Sequence, residues 1–206
     1  MAKPGFSLLL ITDRRNASVE LPAAVAAALA AVPPGVAAVQ LREKDLGGRA
    51  LAELAQALLP LCRARQAPLL VNDRADVALA LGLDGVHLAR TSIDPADARR
   101  LLGPQALVGV SCHSKAEVQA AVGAADYAVL GPIFDTPSKR EHGLPLGSAA
   151  IADALPLGLP LYAIGGMTAE NVQEVRQAQG VATIGAALGA ADPGAATAAL
   201  WRAWQR

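Results

Sequence analysis

Residues 85–131 read GVHLARTSIDPADARRLLGPQALVGVSCHSKAEVQAAVGAADYAVLG, and they hold the repeat from which the fold follows. Three short runs, Gly85–Leu88, Ala106–Ser111 and Tyr127–Gly131, are apolar with little period-two alternation. That is the pattern of parallel strands covered on both faces. Between them lie two helical stretches with clear punctuation. Asp94-Pro95 is an N-cap followed by proline at the first helical position, opening Ala96–Leu102, and Gly103-Pro104 closes it. Ser114-Lys115-Ala116-Glu117 is a capping box for a helix through Val122. Strands alternating with helices imply a parallel sheet with right-handed crossovers.

The same alternation extends in both directions. Further strands are expected at Phe6–Thr12, Val36–Leu41, Leu69–Asn72, Leu159–Ile164 and Val181–Ile184. Further helices are expected at Ser18–Val32, stopped by Pro33-Pro34, and at Leu46–Arg65, where Pro60 should kink or split the helix. Others follow at Thr168–Ala178 and from about Pro193 to Gln205, where Trp201 and Trp204 are spaced to pack on the barrel wall. Eight strand–helix units suggest closure into a (β/α)8 TIM barrel, an α/β fold, as a single domain over residues 1–206. An open doubly wound sheet is the rival; the eighth unit would be surplus to it, and no Gly-x-Gly-x-x-Gly follows the first strand.

Composition narrows the function. The 206 residues are 53% hydrophobic and 3% aromatic, too apolar for a disordered chain. Eighteen basic residues balance eighteen acidic ones, which argues against a general electrostatic binder of nucleic acid. Cys62 and Cys112 are too few for a disulfide framework or a structural zinc site. The spacing of His87, His113 and His142 gives a catalytic zinc no support. No apolar run is long enough to span a membrane, and no signal-peptide pattern is evident. A cytoplasmic protein without nucleic-acid or membrane partners is expected; homo-oligomerisation stays open.

In such a barrel, chemistry sits at the C-terminal ends of the strands. After the second strand, alternation points Gln40, Arg42 and Lys44 into the mouth, with Leu41 and Glu43 facing the other way. An amide and two cations at one spot suit a diphosphate. After the third, Asn72 and Asp73 can hold Mg²⁺ with substrate oxygens, or Asp73 can cap the next helix. After the fifth, Ser111 faces the mouth and can donate to a phosphate, Ser114 reads as an N-cap, and Cys112 reads as a small buried hydrophobe. The loop after the sixth strand carries Thr136, Ser138 and Lys139, two hydroxyls and a cation. After the seventh and eighth strands, Gly165-Gly166 and Gly185 let backbone N–H groups approach an anion, the recurrent phosphate position of these barrels. The combination suggests joining or splitting of two small phosphorylated molecules.

The residues also resemble the thiamine-phosphate synthase family. The matching segments include Leu10-Ile11-Thr12-Asp13, Gln40-Leu41-Arg42-Glu43-Lys44, Leu70-Val71-Asn72-Asp73-Arg74, Asp84-Gly85-Val86-His87-Leu88, Gly109-Val110-Ser111, Gly131-Pro132-Ile133-Phe134-Asp135-Thr136-Pro137-Ser138-Lys139 and Ala163-Ile164-Gly165-Gly166-Met167-Thr168. They run in family order over nearly the whole chain.

The resemblance implies joining of hydroxymethylpyrimidine diphosphate to a thiazole phosphate, with release of pyrophosphate. Departure of diphosphate leaves a pyrimidinyl cation that the thiazole nitrogen captures. Carried onto this chain, Gln40, Arg42, Lys44, Asn72, Ser111 and Lys139 would hold the pyrimidine diphosphate, and Lys139, Arg42 and Ser111 would bear the catalytic work. Asp73 would be an Mg²⁺ ligand, and Thr136, Ser138 and Gly166 would contact the thiazole phosphate.

Two positions depart from the family. Where it usually has Gly-Gln-Glu-Asp after the fourth strand, this chain has Ala89-Arg90-Thr91-Ser92, so Ser92 stands at the second Mg²⁺ ligand. Asp94, two residues on, looks committed to helix capping. Where the family tends to have Val-Ser after the eighth strand, this chain has Ile184-Gly185. Both departures resemble the sister branch, the thiazole tautomerases, but that branch's catalytic histidine position holds Pro132 here. A tautomerase-like enzyme and a non-catalytic ligand-binding paralogue are the alternatives.

Overall fold

The structure is a computed structural model, and it describes residues 4–136 and 144–206. Its eight parallel strands are β1 (Leu8–Ile11), β2 (Ala37–Leu41), β3 (Leu69–Asn72), β4 (Gly85–Leu88), β5 (Leu107–Cys112), β6 (Tyr127–Leu130), β7 (Leu161–Ala163) and β8 (Gly180–Thr183). Leu8 pairs with Ala37 on one side and with Val181 on the other, so the sheet closes on itself in sequence order. The barrel expected from the alternation is the fold observed.

Around the barrel run α1 (Leu21–Ala30), α2 (Gly48–Ala64), α3 (Ala75–Leu81), α4 (Pro95–Leu102), α5 (Lys115–Ala121), α6 (Ala149–Ala154), α7 (Gly185–Leu188) and α8 (Pro193–Trp204). The Asp94 carboxylate accepts from Ala96 N at 2.8 Å and caps α4 as expected. Ser114 Oγ accepts from Glu117 N at 3.2 Å, but the Glu117 carboxylate accepts from His113 N instead of closing the box on Ser114. Trp201 and Trp204 pack half-buried against the core.

Three helix expectations change. Helix α1 starts at Leu21 rather than Ser18, because Ser18 Oγ donates to Ala190 O across to the last unit and Pro22 sets the first turn. Pro60 leaves α2 one continuous helix; Pro60 and Gln56, whose carbonyl loses its donor, both belong to the exposed side. The stretch Thr168–Ala178 forms only a 3₁₀ turn at Val172–Val175. There Asn171 competes for the backbone: its Oδ1 accepts from Thr168 N at 2.9 Å and its Nδ2 donates to Gly166 O at 2.8 Å.

The barrel interior has two levels. The lower is apolar and aromatic: Phe6 stacks on Tyr162 at 4.9 Å, and Tyr127 meets both edge-on at 5.8 and 5.3 Å. Gly109 permits this, since a Cβ there would stand 2.1 Å from the Tyr127 ring. Tyr162 Oη donates to Phe6 O at 2.7 Å. Below this floor, Asp126 accepts from Val108 N at 2.8 Å and pairs with Arg99. The upper level is polar on one side. Gln40, Asn72, His87 and Ser111 stand two residues beyond Ala38, Leu70, Gly85 and Gly109 on four neighbouring strands, so the inward face that builds the floor also delivers them to the mouth.

Candidate active site

On the β2–β5 side of the mouth, side chains bond to one another in a chain. Gln40, 1% exposed, donates from Nε2 to Asn72 Oδ1 at 3.0 Å, and Asn72 Nδ2 donates to Asp73 Oδ2 at 2.7 Å. The Asp73 carboxylate fixes every polarity upstream. It can only accept, so Asn72 must present its NH₂ to Asp73 and its oxygen to Gln40. Gln40 must then use its nitrogen on Asn72, and its Oε1 is left buried without a donor among the described residues. An orphaned buried acceptor at a barrel mouth is a place prepared for a ligand N–H or O–H.

Asp73 takes φ +63, a left-handed conformation uncommon outside glycine, asparagine and aspartate. The turn sends its carboxylate across to the loop after β4, where Oδ1 accepts from Ala89 N at 3.1 Å and from Ser92 Oγ. Helix α3 begins at Ala75 with no side-chain cap, so Asp73 does not cap it. Ser92 also accepts from Ala89 N at 2.8 Å. The Ser92 hydroxyl is therefore a direct partner of the Asp73 carboxylate.

His87 is 2% exposed, with Nδ1 at 3.2 Å from Tyr127 Oη and Nε2 at 2.9 Å from Ser111 Oγ. Burial pushes its pKa down to about 4; Asp73 pulls it up and Arg42 lowers it further. Burial also pushes the Tyr127 phenol well above its ordinary range. The imidazole is neutral at physiological pH. Cys112 is buried with its thiol pushed up to about 12, so it remains a protonated apolar filler, as its sequence context indicated.

Arg42 is half-buried just past β2, and Lys44 stands exposed in the turn that follows. Strand β2 ends at Leu41, and Glu43 beyond it is buried rather than solvated. It is 6% exposed, accepts from Thr12 Oγ1 at 2.6 Å and from Arg14 N at 3.1 Å, and ion-pairs with Arg14. Thr12 in turn accepts from Arg42 N at 2.9 Å. This buried tie between the β1 and β2 loops holds the Arg42 backbone. Sequence reasoning missed it, although a threonine ending an apolar strand and a glutamate next to Arg42 were its visible signal.

The β6–β8 side is built differently. Gly165 and Gly166 have φ +98 and +63. A Cβ at Gly165 would stand 2.6 Å from Pro132 Cβ, and one at Gly166 would stand 2.6 Å from Asp135 O. Their close approach is to the loop after β6, with Phe134 N donating to Gly165 O at 3.1 Å. Gly185 opens the four-residue α7, and a Cβ there would meet nothing within 4 Å. Thr136 is half-buried at the end of the described part of the β6 loop. Ser138 and Lys139 lie outside the described residues, as does His142.

Fold and rim define the class: a (β/α)8 barrel whose C-terminal mouth gathers buried, mutually bonded polar side chains on one half and glycine turns on the other. The family described as "Thiamine monophosphate synthase" matches residues 8–187, and the chain belongs to it. It is 46% identical over 198 residues to a putative thiamine-phosphate synthase of Geobacter sulfurreducens, covering 94% of this chain and 92% of that one. It is 46% identical over 196 residues to a thiamine-phosphate synthase of Roseiflexus castenholzii, covering 93% and 85%. Among solved structures, thiamine phosphate pyrophosphorylase from Pyrococcus furiosus superposes with a TM-score of 0.86 at 31% identity, covering 98% and 96%.

Proposed function

We propose that this chain is a thiamine-phosphate synthase, joining hydroxymethylpyrimidine diphosphate to thiazole phosphate with release of pyrophosphate. One observation in the mouth carries the reading beyond family membership: the buried Gln40 Oε1, left by the polarity that Asp73 imposes without a donor among the described residues. An aminopyrimidine offers an N–H for it, and Arg42 and Ser111, on the same β2–β5 half of the mouth, would take the diphosphate.

The C–O bond between the pyrimidine methylene and the diphosphate breaks, and the electron pair leaves with the diphosphate. The thiazole nitrogen then forms the new C–N bond. Gln40 and Asn72 orient the pyrimidine; Arg42, Lys44, Ser111 and Lys139 hold the diphosphate as its charge grows. Thr136, Ser138 and the backbone at Gly165, Gly166 and Gly185 receive the thiazole phosphate. With Pro132 at the tautomerase histidine position, this mouth carries no proton-transfer group there.

The donor set suits Mg²⁺ only in company. No cluster of three His, Cys, Asp or Glu that could hold a metal occurs among the described residues, and the mouth offers the Asp73 carboxylate with the Ser92 hydroxyl. Mg²⁺ is commonly held by one or two carboxylates plus substrate phosphates, so Asp73 would hold it together with the diphosphate. When bound, the ion neutralises charge on the leaving diphosphate. No helix among the described residues is long and apolar enough to cross a membrane. The proposed reaction belongs in the cytoplasm, because its charged phosphate ester substrates do not cross a bilayer unaided.

The test is direct. The folded chain, given both phosphorylated halves and millimolar-range Mg²⁺, should form thiamine phosphate and pyrophosphate in equal amounts. Folded protein without turnover over a full metal titration rejects the reading.

A further inference from the structure

Three side chains stand in single file from the barrel floor to the rim. Tyr127 on β6 is 0% exposed, His87 on β4 is fully enclosed above it, and Ser111 on β5 reaches the mouth half-buried. The contacts are Tyr127 Oη to His87 Nδ1 at 3.2 Å and His87 Nε2 to Ser111 Oγ at 2.9 Å. Each member can donate or accept, so the file has two polarities, and they differ in which end keeps the surplus proton.

In one polarity Ser111 donates to Nε2, Nδ1–H donates to Tyr127, and the surplus proton sits on the phenol. Tyr127 Oη is buried, and no other acceptor reaches it among the described residues. In the other polarity Tyr127 donates to Nδ1, Nε2–H donates to Ser111, and the surplus proton is the serine's own, at the open end. A buried hydroxyl without an acceptor is the costlier choice, whereas a proton at the mouth finds water or a ligand.

We infer that Tyr127 and His87 are positioning residues that lock the Nε2–H tautomer and thereby aim the Ser111 hydroxyl proton at the anion in the mouth. The polarity stands on the geometry alone; its consequence for turnover rests on the reading of Ser111 as a diphosphate contact.

The experiment observes the ring nitrogens of isotope-labelled histidine in the full chain near neutral pH, with His87 assigned by its loss in His87→Gln. The expected result is the Nε2–H tautomer of His87 in excess over the Nδ1–H tautomer by about tenfold or more. Tyr127→Phe should bring the two tautomers closer to balance and lower kcat about tenfold, while KM for the diphosphate substrate changes by less than about threefold. An Nδ1–H tautomer in the parent chain overturns the inference, as does a Tyr127→Phe variant whose tautomer ratio is unchanged. An Nε2–H tautomer in a chain that makes no thiamine phosphate supports the polarity and overturns the proposed activity instead.

Discussion

The two halves of the mouth solve one problem by different means. Across β2–β5, polar side chains are held by other side chains: Thr12 and Glu43 brace the Arg42 backbone, Asn72 links Gln40 to Asp73, and His87 links Tyr127 to Ser111. Across β6–β8, position comes from backbone, with Gly165 and Gly166 fitted under the β6 loop and Asn171 pinning the turn. A substitution in the first half should alter chemistry and leave the fold. One in the second should alter the fold first wherever the added atoms meet the β6 loop.

The largest expected effect lies in the backbone half. Gly165→Ala places a Cβ 2.6 Å from Pro132 Cβ and 2.7 Å from its Cα, at φ +98. Unfolding free energy should fall by about 4 kcal/mol, lowering Tm by about 8–16 °C for a chain of this length. Gly185→Ala, which meets nothing within 4 Å, should leave Tm nearly unchanged. Calorimetry on the pair would break the comparison if both behaved alike.

Next comes the pH dependence set by His87. Its folded pKa of about 4 lies below the ordinary 6.5, so the unfolded chain takes up the proton first as pH falls. The stability is complete above pH 6.5, erodes as pH drops from 6.5 towards 4, and levels off below. The loss at full extent is about 3 kcal/mol. Urea unfolding over a pH series should show it, and His87→Gln should flatten that segment; an unchanged slope in the variant would assign the loss elsewhere.

Ser111→Ala should reduce kcat about 100-fold, equivalent to about 2.7 kcal/mol, with Tm almost unaffected. A reduction under about threefold would remove Ser111 from the reaction. The smallest effect should be Ser92→Asp, which restores a second carboxylate beside Asp73. Mn²⁺ uptake in the presence of pyrophosphate should tighten about tenfold, or about 1.4 kcal/mol, as read by binding titration. Unchanged affinity would show that the Ser92 position does not face the metal.

The same division decides what could be read from the chain. The eight strands were legible because strands buried on both faces leave uninterrupted apolar runs, and strand order follows from right-handed crossovers. Gln40, Asn72 and Ser111 were legible because alternation within a strand fixes which way they face. Glu43 was not, since it lies past the end of β2, where the strand period no longer applies and Thr12 and Arg14 decide its orientation. The helix expected after Met167 failed for a local reason, the Asn171 side chain satisfying backbone groups that a helix would have used. Two facts depended on distant partners and left no mark in any short window: that Asp73 would turn to Ser92 rather than cap α3, and that Tyr127 would lie under His87.

The aromatic floor has a topological consequence. Phe6, Tyr127 and Tyr162 seal the lower end of the barrel, so the mouth is a cup with one opening rather than a passage. A guest seated against Gln40 enters and leaves by that same rim.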